Sequence, residues 1–168
     1  MTYYKIAINL NQLQLNFIIL KIALYQPDIA GNVGTIMRLS ACLDLELNII
    51  EPCGFPFTED KIRRSAMDYF DHVKLKRYSS FEEFKNDNKN SRIILLSTKA
   101  PVNYTKFEFR ESDILMVGRE SAGVPEEIHN SVDARVIIPM KNNMRCLNVA
   151  ISLSIVLGEA MRQCNLMN

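Results

Sequence analysis

A chain of 168 residues is long enough for one domain with a proper core, and 48% hydrophobic with 23% charged residues fits an ordinary globular protein. A net charge of +1 excludes a global field that draws in nucleic acid, so RNA binding would have to come from local patches or from oligomerisation. The four cysteines contain no C-x-x-C pair and the only histidines are His72 and His129, which excludes a zinc pattern; the thiols are read as reduced, mostly buried and cytoplasmic, with no metal expected.

Residues 1–21 form an N-terminal extension ahead of a single domain over 22–168. The run Phe17-Ile18-Ile19-Leu20 is apolar, but Asn9, Asn11, Gln12, Gln14 and Asn16 interrupt what precedes it. Without a basic start or a small-residue cleavage site it makes a poor signal peptide, and it is too polar to span a membrane. An extra strand and an upstream start codon both remain open.

Ile18 to Tyr25 reads as a strand, and Gly31 to Leu43 has helical spacing. Leu47-Asn48-Ile49-Ile50 is a short strand ended by Pro52. Thr58 can cap a short helix with Glu59 and Asp60 in its first turn. Val73 to Tyr78 alternates as a strand does. Ser80-Phe81-Glu82-Glu83 fits a capping box, so a helix follows. Arg92 to Ser97, Ile114 to Val117 and Val136-Ile137-Ile138 are apolar runs of buried-strand length. About six strands interleaved with helices predict an α/β fold, a mostly parallel sheet with helices on both faces.

The loop from Lys99 to Asp113 carries Tyr104, Phe107 and Phe109, which are expected to pack onto the core rather than stack on a ligand. From about Leu147 to Cys164 the chain predicts a long helix, apolar nearly all round, buried in the core or in a subunit interface. A homodimer is the favoured reading. Gly158 inside that helix costs about 1 kcal/mol relative to Ala and suggests close helix–helix approach.

Chemistry is expected in three segments. Gly118-Arg119-Glu120-Ser121-Ala122-Gly123-Val124-Pro125 follows a buried strand, where α/β proteins place binding loops, and its glycines permit tight backbone approach. Asn32-x-Gly34-x-x-x-Arg38 follows Leu24-Tyr25-Gln26-Pro27, and Ile138-Pro139-Met140 precedes Cys146-Leu147-Asn148-Val149. Taken one at a time, each has a plain reading. Asn32 could cap the first helix, Arg38 could be a surface arginine, Glu120 an ordinary turn carboxylate, and Asn148 a buried amide that must find partners. Basic residues cluster at Lys61-Ile62-Arg63-Arg64, at Lys74-x-Lys76-Arg77, and at Lys141 with Arg145. A dinucleotide-binding fold is disfavoured, since no G-x-G-x-x-G follows the first strand.

Together and in this order, the three segments resemble the SPOUT class of RNA methyltransferases, and within it the SpoU group that methylates ribose 2′-hydroxyls. The similarity spans about Ile22 to Gln163. Ile50-Glu51-Pro52-Cys53-Gly54-Phe55 and Arg63-Arg64-Ser65-Ala66-Met67-Asp68-Tyr69 are similar to the compact branch that acts on the tRNA wobble nucleotide. The resemblance implies a C-terminal trefoil knot, which general topology rules would not suggest. It implies S-adenosylmethionine held by Leu96, Gly118, Ile138, Cys146 and Leu147, with S-adenosylhomocysteine as product. Cys146 stands where the family usually has Ser, which is tolerable only if the backbone makes that contact.

The resemblance further implies Arg38, Asn32, Glu120 and Asn148 as the catalytic set, with Glu120 fixing Arg38 or Asn148. Arg38 is the implied contact to the target ribose, and Lys141 and Arg145, which flank the third motif, are read as RNA contacts to a tRNA anticodon stem-loop. An arginine acting as general base would cost at least about 7 kcal/mol at neutral pH, so Arg38 is expected to orient the ribose or its phosphate. Two alternatives stay open. One is the same chemistry on rRNA or at another tRNA position, and the other is a binding protein that has lost catalysis.

Overall fold

The computed structural model describes residues 20–141, 144 and 146–166. Among the described residues seven strands form one sheet in the order β3-β2-β1-β6-β4-β7-β5, and every pairing between them is parallel. In chain order these are β1 (Lys21–Tyr25), β2 (Glu46–Ile50), β3 (Lys74–Tyr78), β4 (Ile93–Leu96), β5 (Val102–Asn103), β6 (Ile114–Val117) and β7 (Ala134–Ile137). The helices are α1 (Ala30–Cys42), α2 (Glu59–Ala66), α3 (Phe81–Asp87), α4 (Glu126–Ser131) and α5 (Val149–Gln163).

Strand alternation sends side chains to two cores. Ile22, Leu24, Leu47, Ile49, Leu115 and Val117 face the layer of α1, α2 and α5. Ala23, Tyr25, Ile50, Ile93, Leu95 and Met116 face α3 and α4. Helices therefore cover both faces, as the sequence predicts. The strand expected from Ile18 begins at Lys21, while Ile18 and Ile19 lie outside the described residues, as does most of the 1–21 extension.

Local signals account for the boundaries. Ser80 Oγ accepts from Glu83 N at 3.2 Å, the expected cap of α3, while Glu83 reaches back to Ser79 N and Oγ rather than to Ser80. The aromatic loop does pack down, with Phe109 buried and in edge contact with Phe107. Gln163 of α5 holds that loop by accepting from Phe109 N at 2.9 Å and donating to Phe107 O at 3.0 Å. β5, inside this loop, is a seventh strand beyond the expected six, and it has only two residues and no apolar alternation to betray it.

Three expectations need correction. Asn32 does not cap α1, because the helix starts two residues earlier with Ile29 in the cap position, leaving Asn32 in its first turn. Around Gly158 an added Cβ would meet nothing within 4 Å among the described residues, so the close approach expected there is not made within the described chain. Of the four free thiols, Cys42 and Cys146 are exposed, Cys53 is half-buried and only Cys164 is buried.

At the amino ends of the strands, Asp113 is fully buried and bidentate with Arg92, Nε to Oδ1 and a terminal nitrogen to Oδ2, both at 2.8 Å. Arg110 N also donates to Oδ2 at 2.9 Å, and the Asp113 carbonyl accepts from Lys21 N at 3.0 Å. This cluster locks the start of β1 to the start of β6. No helix among the described residues is long and apolar enough to cross a membrane.

Candidate active site

β6, β4 and β7 are adjacent and parallel, so Gly118, Leu96 and Ile138 lie together at their carboxyl ends. That edge is where open α/β sheets take their ligands. Leu96 pairs in register with Val136, and Ser97 N donates to Val136 O at 3.0 Å.

After β6 the chain turns sharply. Arg119 N donates to Gly123 O at 3.0 Å and Gly123 N returns to Arg119 O at 2.8 Å. Gly123 has a φ of 65°, a conformation that favours glycine. A Cβ on Gly118 would lie 2.6 Å from the Gly123 carbonyl carbon, so the turn closes only with glycine there.

This turn aims Glu120 back at α1. Asn32 Nδ2 donates to Glu120 Oε1 at 2.9 Å, and Asn148 Nδ2 donates to Asn32 Oδ1 at 2.9 Å. Asn148 in turn caps α5, its Oδ1 accepting from Ala150 N at 2.9 Å and Ile151 N at 3.4 Å. All donors point the same way, from the N-terminus of α5 through two amides to one carboxylate. Such a chain polarises cooperatively and connects the positive end of the helix to the Glu120 charge. Three of the four expected catalytic residues thus form one unit. Glu120 fixes Asn32 directly and reaches Asn148 only through it. Asn148, expected to be buried, is exposed, with both polar atoms of its side chain engaged.

Asp28 belongs to this unit although no sequence signal singled it out. Its N–H donates to Glu120 Oε2 at 3.0 Å, and its Oδ1 accepts from Glu120 N at 3.0 Å. Its Oδ2 accepts from Ser121 N at 3.3 Å and from Ser121 Oγ. The Glu120 side chain beside it outweighs burial and, with the Ser121 bonds, holds the Asp28 carboxyl down at about 2. Burial, and then Asp28 itself, push the Glu120 carboxyl up from its ordinary value. The available signal was an acidic residue directly after Pro27, between β1 and the first motif. Gln26 there has a φ of 47°, which swings Pro27 and Asp28 off the strand.

Arg38 sits apart from that chain of bonds in rotation. Six residues after Asn32, it is turned about 120° away on α1. It is exposed, and its guanidinium lies over the Tyr69 ring at 5.2 Å. Tyr69 belongs to the 3-10 helix Met67–His72 that follows α2. Cys146 and Leu147 are both exposed, Leu147 to 40%, and are brought to the site by their neighbour Asn148. Lys141 is exposed, while Arg145 lies outside the described residues.

The other basic clusters are largely spent within the fold. Lys74 pairs with Asp44 at 2.6 Å, Lys76 with Glu46 at 3.3 Å, and Arg77 with Glu51. Arg63 pairs with Asp71 at 2.7 Å and lies over Phe70.

The profile of the SpoU rRNA Methylase family matches residues 19–158. A tRNA (cytidine(34)-2′-O)-methyltransferase of Beijerinckia indica is 56% identical over 144 residues, covering 84% of this chain and 90% of the relative. A solved structure concerned with 2-OH methylation of C/U34 on tRNA superposes with a TM-score of 0.82 at 35% identity, over 86% of this chain and 95% of that one. The AviRb methyltransferase of Streptomyces viridochromogenes, solved with AdoMet, reaches a TM-score of 0.79 at 21% identity, over 92% of this chain and 64% of that one; the likeness is one of fold.

Proposed function

The chain belongs to the SpoU rRNA methylase family, and on that premise we propose that it is a tRNA 2′-O-methyltransferase. It transfers a methyl group from S-adenosylmethionine to the ribose of nucleotide 34, the wobble position. The observation that carries this reading is the Asn148–Asn32–Glu120 chain, which unites all three motifs at the carboxyl edge of the sheet. The 56% identity to a cytidine-34 methyltransferase supports the substrate.

The residues present fit the cofactor. Leu96 and Ile138 offer half-buried apolar surface at adjacent strand ends, Leu147 is exposed next to Asn148, and Gly118 keeps the turn free of a side chain. Main-chain recognition tolerates Cys146 in that set. When bound, S-adenosylmethionine supplies an electrophilic methyl group. The protein's own part is positioning, which can supply much of the rate. Arg38, steadied by stacking on Tyr69, orients the ribose or its phosphate. Glu120, Asn32 and Asn148 form a rigid polar floor. Lys141 and Arg145 contact the anticodon stem-loop.

The reading includes a trefoil knot in the C-terminal part of a single domain over 22–168, a homodimer and a cytoplasmic location. Membership of the SpoU family supports the knot. For the dimer the support is a stripe on one side of α5, where Ile151 is 53% and Ile155 37% exposed, continued by Leu147.

The deciding experiment incubates the protein with labelled S-adenosylmethionine and tRNA from cells lacking the gene, then maps the labelled nucleotide. Label is expected on the ribose of nucleotide 34 and is abolished in Arg38→Ala. Label at another position, or in rRNA only, would keep the chemistry and discard the wobble assignment. Cofactor binding without label on any RNA would favour a non-catalytic binder.

A further inference from the structure

Glu120 can hold Asn32 only if the Gly118–Gly123 turn presents its side chain toward α1, and main-chain bonds between Arg119 and Gly123 do not by themselves set that direction. The direction is set from outside the turn, by the segment between β1 and α1. We propose that Asp28 is the positioning residue of this site, holding the turn so that Glu120 reaches Asn32. The inference rests on the methyltransferase reading for its kinetic consequence, though not for its structural one.

Four bonds carry it. Asp28 and Glu120 exchange main-chain N–H for side-chain carboxylate in both directions, each at 3.0 Å, which closes a ring between the two segments. Ser121 adds its N–H at 3.3 Å and its hydroxyl to the second Asp28 oxygen. A carboxylate has acceptors only, and the two Asp28 oxygens accept from three donors, Glu120 N, Ser121 N and Ser121 Oγ, with the Glu120 carboxyl alongside. An amide at this position could satisfy one oxygen's partner but would turn an NH2 group against the donors of the other.

Asp28 is itself fixed from behind. Gly54 N donates to Pro27 O at 2.9 Å, and a Cβ on Gly54 would lie 2.5 Å from Asp28 Cβ. The β2–α2 loop therefore presses its backbone against Asp28, and only glycine allows that approach. Glu120 spends its two oxygens in different directions, Oε2 on Asp28 and Oε1 on Asn32. The bond to Oε2 comes from the Asp28 main-chain N–H, so it is the Asp28 carboxylate, gripping Glu120 N and Ser121, that keeps the turn where both Glu120 bonds can form. Without that grip the turn shifts, and with it the alignment of Asn32 and Asn148.

The test compares wild type with Asp28→Asn, Asp28→Glu and Ser121→Ala, after melting curves establish that each is folded. Methyl transfer to tRNA is measured as kcat and KM, and the side-chain NH2 resonances of Asn32 and Asn148 are recorded by NMR. Asp28→Asn is expected to lower kcat by about tenfold or more, because misalignment costs rate. KM for tRNA should stay within about twofold, as expected when an interaction acts mainly in the transition state. Asp28→Glu, which keeps the charge and all acceptors, should recover much of the loss. The Asn32 and Asn148 resonances should shift in Asp28→Asn. If Asp28→Asn does not fold, Ser121→Ala, which deletes one bond, should show the same shifts at smaller size.

An unchanged kcat in Asp28→Asn, or a loss confined to KM, would overturn the proposal while leaving the methyltransferase reading intact. Unmoved Asn32 and Asn148 resonances would overturn it whatever the rate. Should wild type transfer no methyl group to tRNA, the functional reading falls, and the resonances alone decide whether Asp28 positions the turn.

Discussion

Asn148 donates through Nδ2 to Asn32 Oδ1 at 2.9 Å, a bond between residues 116 positions apart. Both amides have only one possible orientation. Asn32 must turn its NH2 toward the Glu120 carboxylate, and Asn148 must turn its oxygen toward the N-terminus of α5. What remains on each side is one acceptor and one donor, and they face each other.

This double duty can be divided by substitution. Asn148→Asp keeps the cap, since Asp and Asn cap helices about equally well, but replaces the donor facing Asn32 with an acceptor. Its stability should stay near wild type while methyl transfer falls steeply. Asn148→Ala should lose both, with stability lower by about 1 kcal/mol. Urea denaturation and transfer assays on the two variants test the division, and full activity in Asn148→Asp would refute it.

Gly118→Ala should disable the turn, because its Cβ would meet Gly123 backbone at 2.6 Å and backbone cannot step aside as a flexible side chain can. Affinity for S-adenosylmethionine, read by calorimetry, should drop with it. Gly31→Ala on α1, where an added Cβ meets nothing within 4 Å, provides the contrast and should bind as wild type does.

The exposed stripe on α5 predicts that Ile151→Asp folds but sediments as a monomer, whereas wild type sediments as a dimer. Ile151 is 53% exposed in a single chain, so a charge there costs the isolated fold little. A monomeric wild type would remove the dimer from the reading.

Asp113→Ala should be among the most destabilising changes. It would leave Arg92 without its carboxylate and Arg110 N without its acceptor, in a pair whose acidic partner is fully buried. A loss of about 3 kcal/mol or more is expected in urea denaturation. Activity per folded molecule should be unaffected, since this pair lies at the opposite end of the strands.

Acid should destabilise the fold over a defined range. The folded-state value of Asp28 lies near 2, below the ordinary aspartate value of about 3.9. Its contribution is therefore fully present above about pH 4 and is lost as pH falls toward 2. Glu120 is shifted the other way, so its contribution is complete below about pH 4.5 and fades only above that, outside the Asp28 window. Asp28→Asn should flatten the stability profile between about pH 4 and 2, as measured by melting temperature.

The legible parts of this chain were those written in local chemistry. β4, β6 and β7 announce themselves as apolar runs, and α3 by its cap. The two-residue β5 has no such pattern, because its place is set by pairing with β7. In the site, glycines, asparagines and Glu120 could be read as motifs, but which of them touch could not. Arg38 is in the same motif as Asn32, yet helical rotation sends it to Tyr69. Asp28 was illegible for a different reason: its partners, Glu120 and Ser121, lie 92 and 93 residues away, and nothing local requires an acid there.

Because Asn148 caps the last helix and also closes the hydrogen-bonded chain, the site is finished only when that helix docks. A polypeptide interrupted between β7 and Asn148 would contain every strand and two of the three motifs, yet on the proposed function it is expected to be inert. Competence for that function is expected to arrive late in synthesis and all at once, with a truncated product inactive rather than partly active.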